Sequence, residues 1–205
     1  MKFKFLSVGL LLSVCGFANA GLITSVGLGG AVPDNDLTGI TSSVYISDNE
    51  VIESLSVTLF GLNLTYFGDV IFTLSGPNGA STNLLYSDPS HPYQLGMHTD
   101  LIGDYTFSDT GTDLLNAVSL NISLLAPGSY STADSSTGGA SLTDTFFGIS
   151  SAGEWSLTAI DHWGGDATSF DTWELNIQTV PEPSTLAIFA LGMIGLALRR
   201  FKKQS

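Results

Sequence analysis

The distribution of basic residues is the strongest constraint on how this chain can fold. No Lys or Arg occurs between Phe5 and Leu198, whereas that span contains all nineteen Asp and Glu residues. A domain folded from it has no Lys or Arg with which its carboxylates can form salt bridges, so salt bridges cannot stabilise it. Carboxylates that crowd together in such a domain must repel each other, take up protons or bind metal ions.

The same distribution excludes some classes of partner. Proteins that bind nucleic acid neutralise its phosphates with Lys and Arg, and the central part of this chain offers neither. Anionic lipid headgroups are disfavoured for the same reason. Most of the carboxylates are expected to be solvated, and the hard oxygen ligands they supply favour Ca²⁺ wherever an ion is bound outside the cell.

Residues 1–20 have the features of a secretory signal peptide. Two lysines precede an apolar run, and the Ala-Asn-Ala triplet that ends it predicts cleavage by signal peptidase between Ala20 and Gly21. Cys15 is the only cysteine in the sequence, so the mature chain is expected to contain none. Disulfides, Cys-ligated zinc and thiol nucleophiles are thereby excluded from the mature protein.

Residues 180–205 combine three features in a fixed order. A Pro181-Glu182-Pro183 triplet is followed by an apolar stretch from Leu186 to Leu198 and then by four basic residues. A helix formed by the apolar stretch is about 20 Å long, short of the ~30 Å hydrocarbon core of a bilayer. One interpretation is a short, tilted membrane anchor whose basic end stays in the cytoplasm. The order of features also resembles the PEP-CTERM sorting signal of Gram-negative bacteria.

That resemblance implies a partner and a destination. Pro181, Glu182 and Pro183 are the sorting motif, and the enzyme that recognises it is an exosortase, a membrane-embedded transpeptidase. The protein is then exported, held transiently at the inner membrane, and delivered to the cell envelope or the extracellular matrix.

The segment between the two terminal signals has the length of a single domain. We interpret residues 21–30 as a lead-in and residues 31–179 as the folded domain. Its short alternating runs predict strands, separated by clusters of Gly, Pro and Asp. The runs are "SLSVTLF", "GDVIFTL", "STNLLYS", "NAVSLNISLL", "EWSLTAI" and "TWELNI". The predicted fold class is all-β, a jelly-roll-like antiparallel β-sandwich, with a signal peptide before it and a short apolar helix after it.

Three stretches, in order, resemble the P-domain of proprotein convertases, also called the P/Homo B domain. They are "AVPDNDLTGITSSVYIS", "VIESLSVTLFGLNLTYFGDVIFTLSGPNGASTNLL" and "GEWSLTAIDHWGGDATSFDTWELNI". The resemblance implies a jelly-roll sandwich. In convertases this domain follows a subtilisin-type protease and supports its folding and its calcium dependence.

Calcium is the metal that the acidic residues favour. We select Asp161 and Asp166, because the two glycines between them let backbone carbonyls turn toward an ion. Asp34 and Asp36 resemble half of an Asp-x-Asp calcium loop, with an Asx turn as the alternative. Three acidic residues of a later stretch are further candidates: Asp104, Asp109 and Asp113.

Catalytic groups are harder to assemble from this sequence, and we predict that the protein is not an enzyme. Ser150 and Ser151 lack the pattern of a nucleophile elbow. His162 directly follows Asp161, and adjacent side chains of a strand point to opposite faces, so a catalytic triad is disfavoured. Trp155 and Trp173 alternate in phase with apolar neighbours and are predicted core residues.

Trp163 lies in a predicted turn and is a candidate for contact with a ligand such as a sugar. The predicted function is a secreted or cell-surface, non-catalytic module with a structural or adhesive role in the envelope or extracellular matrix. One alternative is an accessory domain that binds or stabilises a secreted subtilisin-like protease in trans. A second alternative is a carbohydrate-binding or carbohydrate-active jelly roll, with extracellular polysaccharide as partner.

Overall fold

The computed structural model of the protein describes residues 20–87, 98–119, 122–133, 141–180 and 192–193. The folded domain is a compact unit that spans Leu22–Thr179. Segments Met1–Gly21 and Val180–Ser205 form a second unit, of which only residues 20–21, 180 and 192–193 are described.

The described part of the folded domain contains ten strands and two short helices. The strands are β1 (Leu22–Val32), β2 (Asp36–Ile46), β3 (Ile52–Leu64), β4 (Val70–Ser75), β5 (Ser81–Tyr86), β6 (Asp100–Thr112), β7 (Leu124–Leu125), β8 (Gly128–Tyr130), β9 (Gly153–Asp161) and β10 (Thr168–Thr179). The helices are α1 (Leu114–Ser119) and α2 (Leu142–Phe146).

The strands form two sheets. Sheet A has the order β1-β10-β3-β6-β7, with β8 also paired to β6, and sheet B has the order β2-β9-β4-β5. This arrangement confirms the predicted all-β sandwich. It is not antiparallel throughout, because the short strands β7 and β8 run parallel to β6.

The core lies between the two sheets and follows from the alternation of apolar residues. In β9 every second residue from Trp155 to Asp161 is buried, and in β10 the buried set includes Phe170, Trp173 and Leu175. The predicted core positions of Trp155 and Trp173 are confirmed, since neither side chain is exposed at all. The Trp173 indole Nε1 donates a 2.9 Å hydrogen bond to Ser42 Oγ of β2, which links the two sheets.

The domain begins earlier than the sequence suggested. Residues 22–30, interpreted as a lead-in, belong to β1, which pairs antiparallel with β10 from Leu22 to Val32. Glycines make this strand difficult to recognise, although they serve its packing. At Gly27, a Cβ atom would lie 2.0 Å from the Trp173 indole nitrogen, so only glycine leaves room for the indole.

Gly27 and Gly30 provide a matched pair for testing this packing. Gly27→Ala is expected to lower the free energy of unfolding by about 1–2 kcal/mol, because a fully buried indole has to move. At Gly30 the nearest atom to an added Cβ is Ile40 Cδ1, at 3.4 Å. Gly30→Ala should therefore change stability by less than about 0.5 kcal/mol in urea unfolding. Equal effects of the two substitutions would contradict the proposed contact.

The strand predicted from "NAVSLNISLL" is wrong over most of its length. Its first residues lie in α1, and of the residues described after that helix only Leu124–Leu125 form a strand there, as β7. The reason is a local helix cap: the Asp113 carboxylate accepts a 2.9 Å hydrogen bond from the backbone N–H of Asn116. A helix of six residues is too short to show a helical period in the sequence.

Candidate functional site

Four aspartates gather where β9 ends, at one end of the sandwich. Asp34 lies in the turn between β1 and β2, and Asp69 closes a 3-10 segment, Phe67–Asp69, that leads into β4. Asp161 is the last residue of β9, and Asp166 lies in the turn that leads to β10. We call these four residues the acidic cluster.

Hydrogen bonds tie the acidic cluster to the turns around it. Both carboxylate oxygens of Asp34 accept from the backbone N–H of Gly165, at 3.2 Å each, so the first turn is joined to the last one. The fully buried Asp161 carboxylate accepts from the Trp163 N–H at 3.3 Å and from the Thr168 hydroxyl at 3.3 Å.

The electrostatics of the cluster reflect the absence of basic residues in this part of the sequence. Burial, followed by repulsion from Asp161, Asp166 and Asp34, raises the pKa of Asp69 to about 6. Burial is also the main reason that the pKa of Asp161 is raised, and the hydrogen bond from Trp163 offsets part of that increase. Burial and the proximity of like charges both disfavour the ionised carboxylate, so ionising the acidic cluster in the folded protein costs free energy.

The structure brings together three of the four predicted calcium ligands. Asp34, Asp161 and Asp166 act electrostatically on Asp69, a residue that the sequence did not single out. Asp36 has a different role: although it lies opposite Asp161 in the β2–β9 ladder, its carboxylate accepts a 2.7 Å bond from the backbone N–H of Thr38. That bond lowers the pKa of Asp36 and forms the Asx turn that was the alternative for this residue.

Carboxylate oxygens suit Ca²⁺, but the carboxylates of the acidic cluster are not positioned to coordinate one ion together. In the described parts of the chain, no three His, Cys, Asp or Glu side chains are arranged so that they could hold a metal ion. A calcium ion would therefore have to draw the carboxylates of the acidic cluster together.

The other acidic candidates have structural roles. Burial alone would raise the pKa of Asp109, but hydrogen bonds from Thr143, Ser141 and Leu142 outweigh it and hold that pKa below its ordinary value. Its two oxygens accept from the backbone N–H groups of Leu142 and Thr143 at 2.8 Å each, at the start of α2. Asp104 accepts a 2.8 Å bond from the backbone N–H of Gly61.

The candidate catalytic residues lie in two separate local settings. Ser150 Oγ donates to Asn49 Oδ1 at 2.5 Å, and Ser151 Oγ donates to the carbonyl of Asp48, so both serines join two loops. His162 is buried beside the acidic cluster, and its backbone N–H donates a 2.8 Å bond to the carbonyl oxygen of Asp69.

Trp163 is the most exposed of the three tryptophans. Its side chain is 41% exposed, in the turn that carries Asp166. It is thus available for contact with a partner at the same end of the sandwich as the acidic cluster.

The terminal signals fall almost entirely outside the described residues. Ala20 and Gly21, which flank the predicted cleavage site, are described. The sorting motif Pro181-Glu182-Pro183 lies outside the described residues. The predicted apolar helix is described only at residues 192–193. None of the helices that the structure describes is both long enough and apolar enough to span a bilayer.

Comparison with known protein families supports the C-terminal signal. Residues 179–202 match the family model of the PEP-CTERM protein-sorting motif. The chain carries a PEP-CTERM sorting signal. It is therefore an exported protein that is processed by an exosortase at the membrane and reaches the cell envelope or the extracellular space. No curated protein is similar enough in sequence to count as a relative.

Solved structures show only distant likeness to this chain. One match is in the crystal structure of the Aeromonas sobria serine protease with its chaperone, at 14% identity and a TM-score of 0.43, covering 79% of this chain and 28% of that one. The serine protease of Aeromonas sobria alone matches at 14% identity and a TM-score of 0.42, covering 78% and 27%. An exo-β-agarase matches at 16% identity and a TM-score of 0.33, covering 80% and 22%. This chain spans less than a third of the length of those proteins.

Proposed function

We propose that this protein is a non-catalytic β-sandwich module that an exosortase-type system delivers to the cell envelope or extracellular matrix, where it has a structural or adhesive role. The observation that carries the proposal is the position of the sorting motif. The last strand, β10, ends at Thr179, and the match to the sorting motif begins at residue 179. The sandwich is thus the only folded unit among the described residues that the signal would display.

The settings of the candidate catalytic groups support a non-catalytic role. Ser150 and Ser151, which precede β9, are engaged in bonds between loops, whereas His162 follows β9 and its backbone N–H donates to the carbonyl oxygen of Asp69. A Ser-His-Asp mechanism needs these groups within hydrogen-bond reach of one another.

The acidic cluster is proposed to bind Ca²⁺ and to stabilise the domain once it is exported. Asp34, Asp69, Asp161 and Asp166 supply hard oxygen ligands, and a divalent cation would relieve the repulsion that raises the pKa of Asp69. Asp69, and not Asp36, is the fourth proposed ligand, because the Asp36 carboxylate already accepts the hydrogen bond of its own Asx turn.

A second candidate function is an accessory role toward a secreted subtilisin-like protease. The observation that favours it is the arrangement of the three stretches that resemble a P-domain. They contain β2, β3, β4, β9, most of β5 and β10, and only the last two residues of β1. These strands are neighbours as β2-β9-β4-β5, which is all of sheet B, and as β10-β3 in sheet A. The similarity in sequence therefore falls on one complete sheet and on two adjacent strands of the other.

Cell fractionation tests the delivery step. With Pro181, Glu182 and Pro183 all changed to alanine, we expect the protein to stay with the inner membrane and to be largely lost from the surface and the medium. Gln178→Ala, just before the matched region, is the control and should be delivered normally. Unchanged surface delivery of the altered protein would contradict the sorting role.

A pull-down with the exported protein separates the candidate roles. Capture of extracellular polysaccharide, lost on Trp163→Ala, would support an adhesive role for the turn that carries this residue. Capture of a secreted subtilisin-like protease would support the accessory role instead.

A further inference from the structure

Exposed apolar side chains concentrate along one edge of the sandwich. Among the described residues, six large apolar side chains are at least 57% exposed, and five of them lie on β1 and β2. The five are Leu22, Val26, Leu28, Leu37 and Tyr45. We call this region the β1–β2 edge. The sixth, Phe147, follows α2.

The strands of the β1–β2 edge are the outermost strands of their sheets. In the described structure β1 pairs only with β10, and β2 pairs only with β9. Leu22, Val26 and Leu28 are separated by even numbers of residues, so they lie on the same outer face of sheet A. The opposite side of the β1 backbone is left to pair with another strand.

The features that normally protect an edge strand are missing from β1. Leu22–Val32 contains no charged residue and no proline, and it pairs with β10 at ten of its eleven positions, all except Gly29. The other edges are shorter: β5 has six residues, β7 two and β8 three. β2 is as long as β1, but its ladder is interrupted between Asp36 and Ile40. A long, neutral and partly apolar edge is a template for pairing with another chain.

We infer that β1 pairs antiparallel with β1 of a second copy, so that sheet A continues across a two-fold axis. An antiparallel strand pair is self-complementary, which meets the requirement of an isologous interface. Leu22, Val26 and Leu28 of both copies then lie on the same face of the continuous sheet, where they form cross-strand apolar contacts.

The charge distribution selects a second copy as the occupant. Residues 21–180 contain eighteen Asp and Glu residues and no Lys or Arg, so two copies repel each other over most of their surfaces. The neutral β1 strand is where they can approach with the least repulsion. A charged peptide, in contrast, would find no charge on β1 to recognise. This pairing rests on the proposed function in one respect, because delivery to the cell surface supplies the high local concentration of copies. The fractionation experiment tests that delivery separately.

Single cysteines measure this pairing directly. Because the mature chain is expected to contain no cysteine, one cysteine is introduced at position 22, 24, 26 or 28, and the exported protein is oxidised and run on a non-reducing gel. In an antiparallel pair, the two thiols lie about 7 Å further apart for every residue between the cysteine and the two-fold axis, because both strands rise ~3.4 Å per residue. A disulfide needs Cβ atoms ~3.5–4.5 Å apart.

The expected result is a dimer band that is strong at the position on the axis, or equal and weaker at the two positions that lie one residue on either side of it, and faint at the others. Phe147→Cys and Ile102→Cys, which are exposed elsewhere on the domain, are the controls and should stay monomeric. Equal yields at all four positions, equal yields at the controls, no dimer at any position, or a cross-link to a protein of another mass would each overturn the inference.

Salt and edge charges provide the second measurement. Because two acidic domains repel, cross-linking at the peak position should increase when NaCl is raised from about 20 to about 500 mM. Adding two lysines at outward positions of β1 other than the peak should weaken association about tenfold, as lysine does at natural edges, while Phe147→Lys should not. Thermal unfolding verifies that the variants fold. A yield that falls with salt, or that resists the lysines, would exclude pairing through β1.

Discussion

Replacing Trp173 with alanine is expected to lower the free energy of unfolding by about 3–5 kcal/mol. The indole is fully buried in β10, packs directly over Gly27 and donates to Ser42 Oγ of the opposite sheet. Alanine would leave a large cavity between the sheets and remove a hydrogen bond between them. Urea unfolding followed by circular dichroism measures the loss without relying on tryptophan fluorescence.

Trp163 is the matched control for this substitution. Its side chain is 41% exposed, and the bond it gives to the Asp161 carboxylate comes from the backbone, which alanine keeps. Trp163→Ala should therefore change stability by less than about 0.5 kcal/mol. Similar losses for the two variants would mean that the assignment of core and surface tryptophans is wrong.

The contrast between these tryptophans shows what the sequence predicts well. In "EWSLTAI" and "TWELNI" the apolar residues alternate without interruption, so the strands, the buried face and the position of each tryptophan all follow from a period of two. Long-range pairing does not follow from the period. That β10 lies between β1 and β3 is a property of the whole fold.

The missed elements share a physical cause. In β1 the positions that face inward include Gly27, which contributes no side chain to an alternating pattern, while Val26 and Leu28 point outward. The apolar side chains of β1 therefore lie on its outward positions, the reverse of the usual pattern of a half-buried strand. For this reason the sequence does not indicate a strand there. At α1 a single capping carboxylate, that of Asp113, outweighs a weak strand pattern.

The candidate site could be predicted only in part, because its fourth member depends on tertiary burial. Asp161 and Asp166 flank a visible glycine turn, and Asp34 lies in an obvious Pro-Asp turn. Asp69 is the second residue of "GDVIFTL", a run that predicts a strand and not a site. Its position between the apolar residues Phe67 and Val70 is the available signal, and all three are buried in the structure.

Asp69 makes the domain more stable in mild acid when no calcium is present. Its pKa in the folded protein is about 6, against an ordinary value of 3.8, so the folded state binds the proton more tightly than the unfolded chain. This contribution to stability is fully present below about pH 4 and is lost as the pH rises through about 6. The shift corresponds to about 2–3 kcal/mol. Urea unfolding in EDTA at pH 4.5 and pH 7.5 measures it.

Asp69→Asn removes the charge while keeping the shape of the side chain. In EDTA at pH 7.5 the variant is expected to be more stable than the unaltered protein by about 2 kcal/mol, and its stability should vary less between pH 4.5 and 7.5. Asp36→Asn is the control, because Asp36 is not among the charges that raise the pKa of Asp69 or of Asp161, and asparagine keeps the oxygen that accepts from Thr38. A destabilised Asp69→Asn variant would contradict the repulsion inferred for the cluster.

Calcium should reverse the sign of this substitution. Ca²⁺ bound to the native state stabilises it by mass action and competes with protons for the same carboxylates. At pH 7.5, excess Ca²⁺ should therefore raise the melting temperature of the unaltered protein and of Asp36→Asn, but not that of Asp69→Asn. A melting temperature that is the same in excess EDTA and in excess Ca²⁺ would exclude the calcium site. The pH dependence would then remain, because it needs only the burial and the mutual repulsion of the four carboxylates.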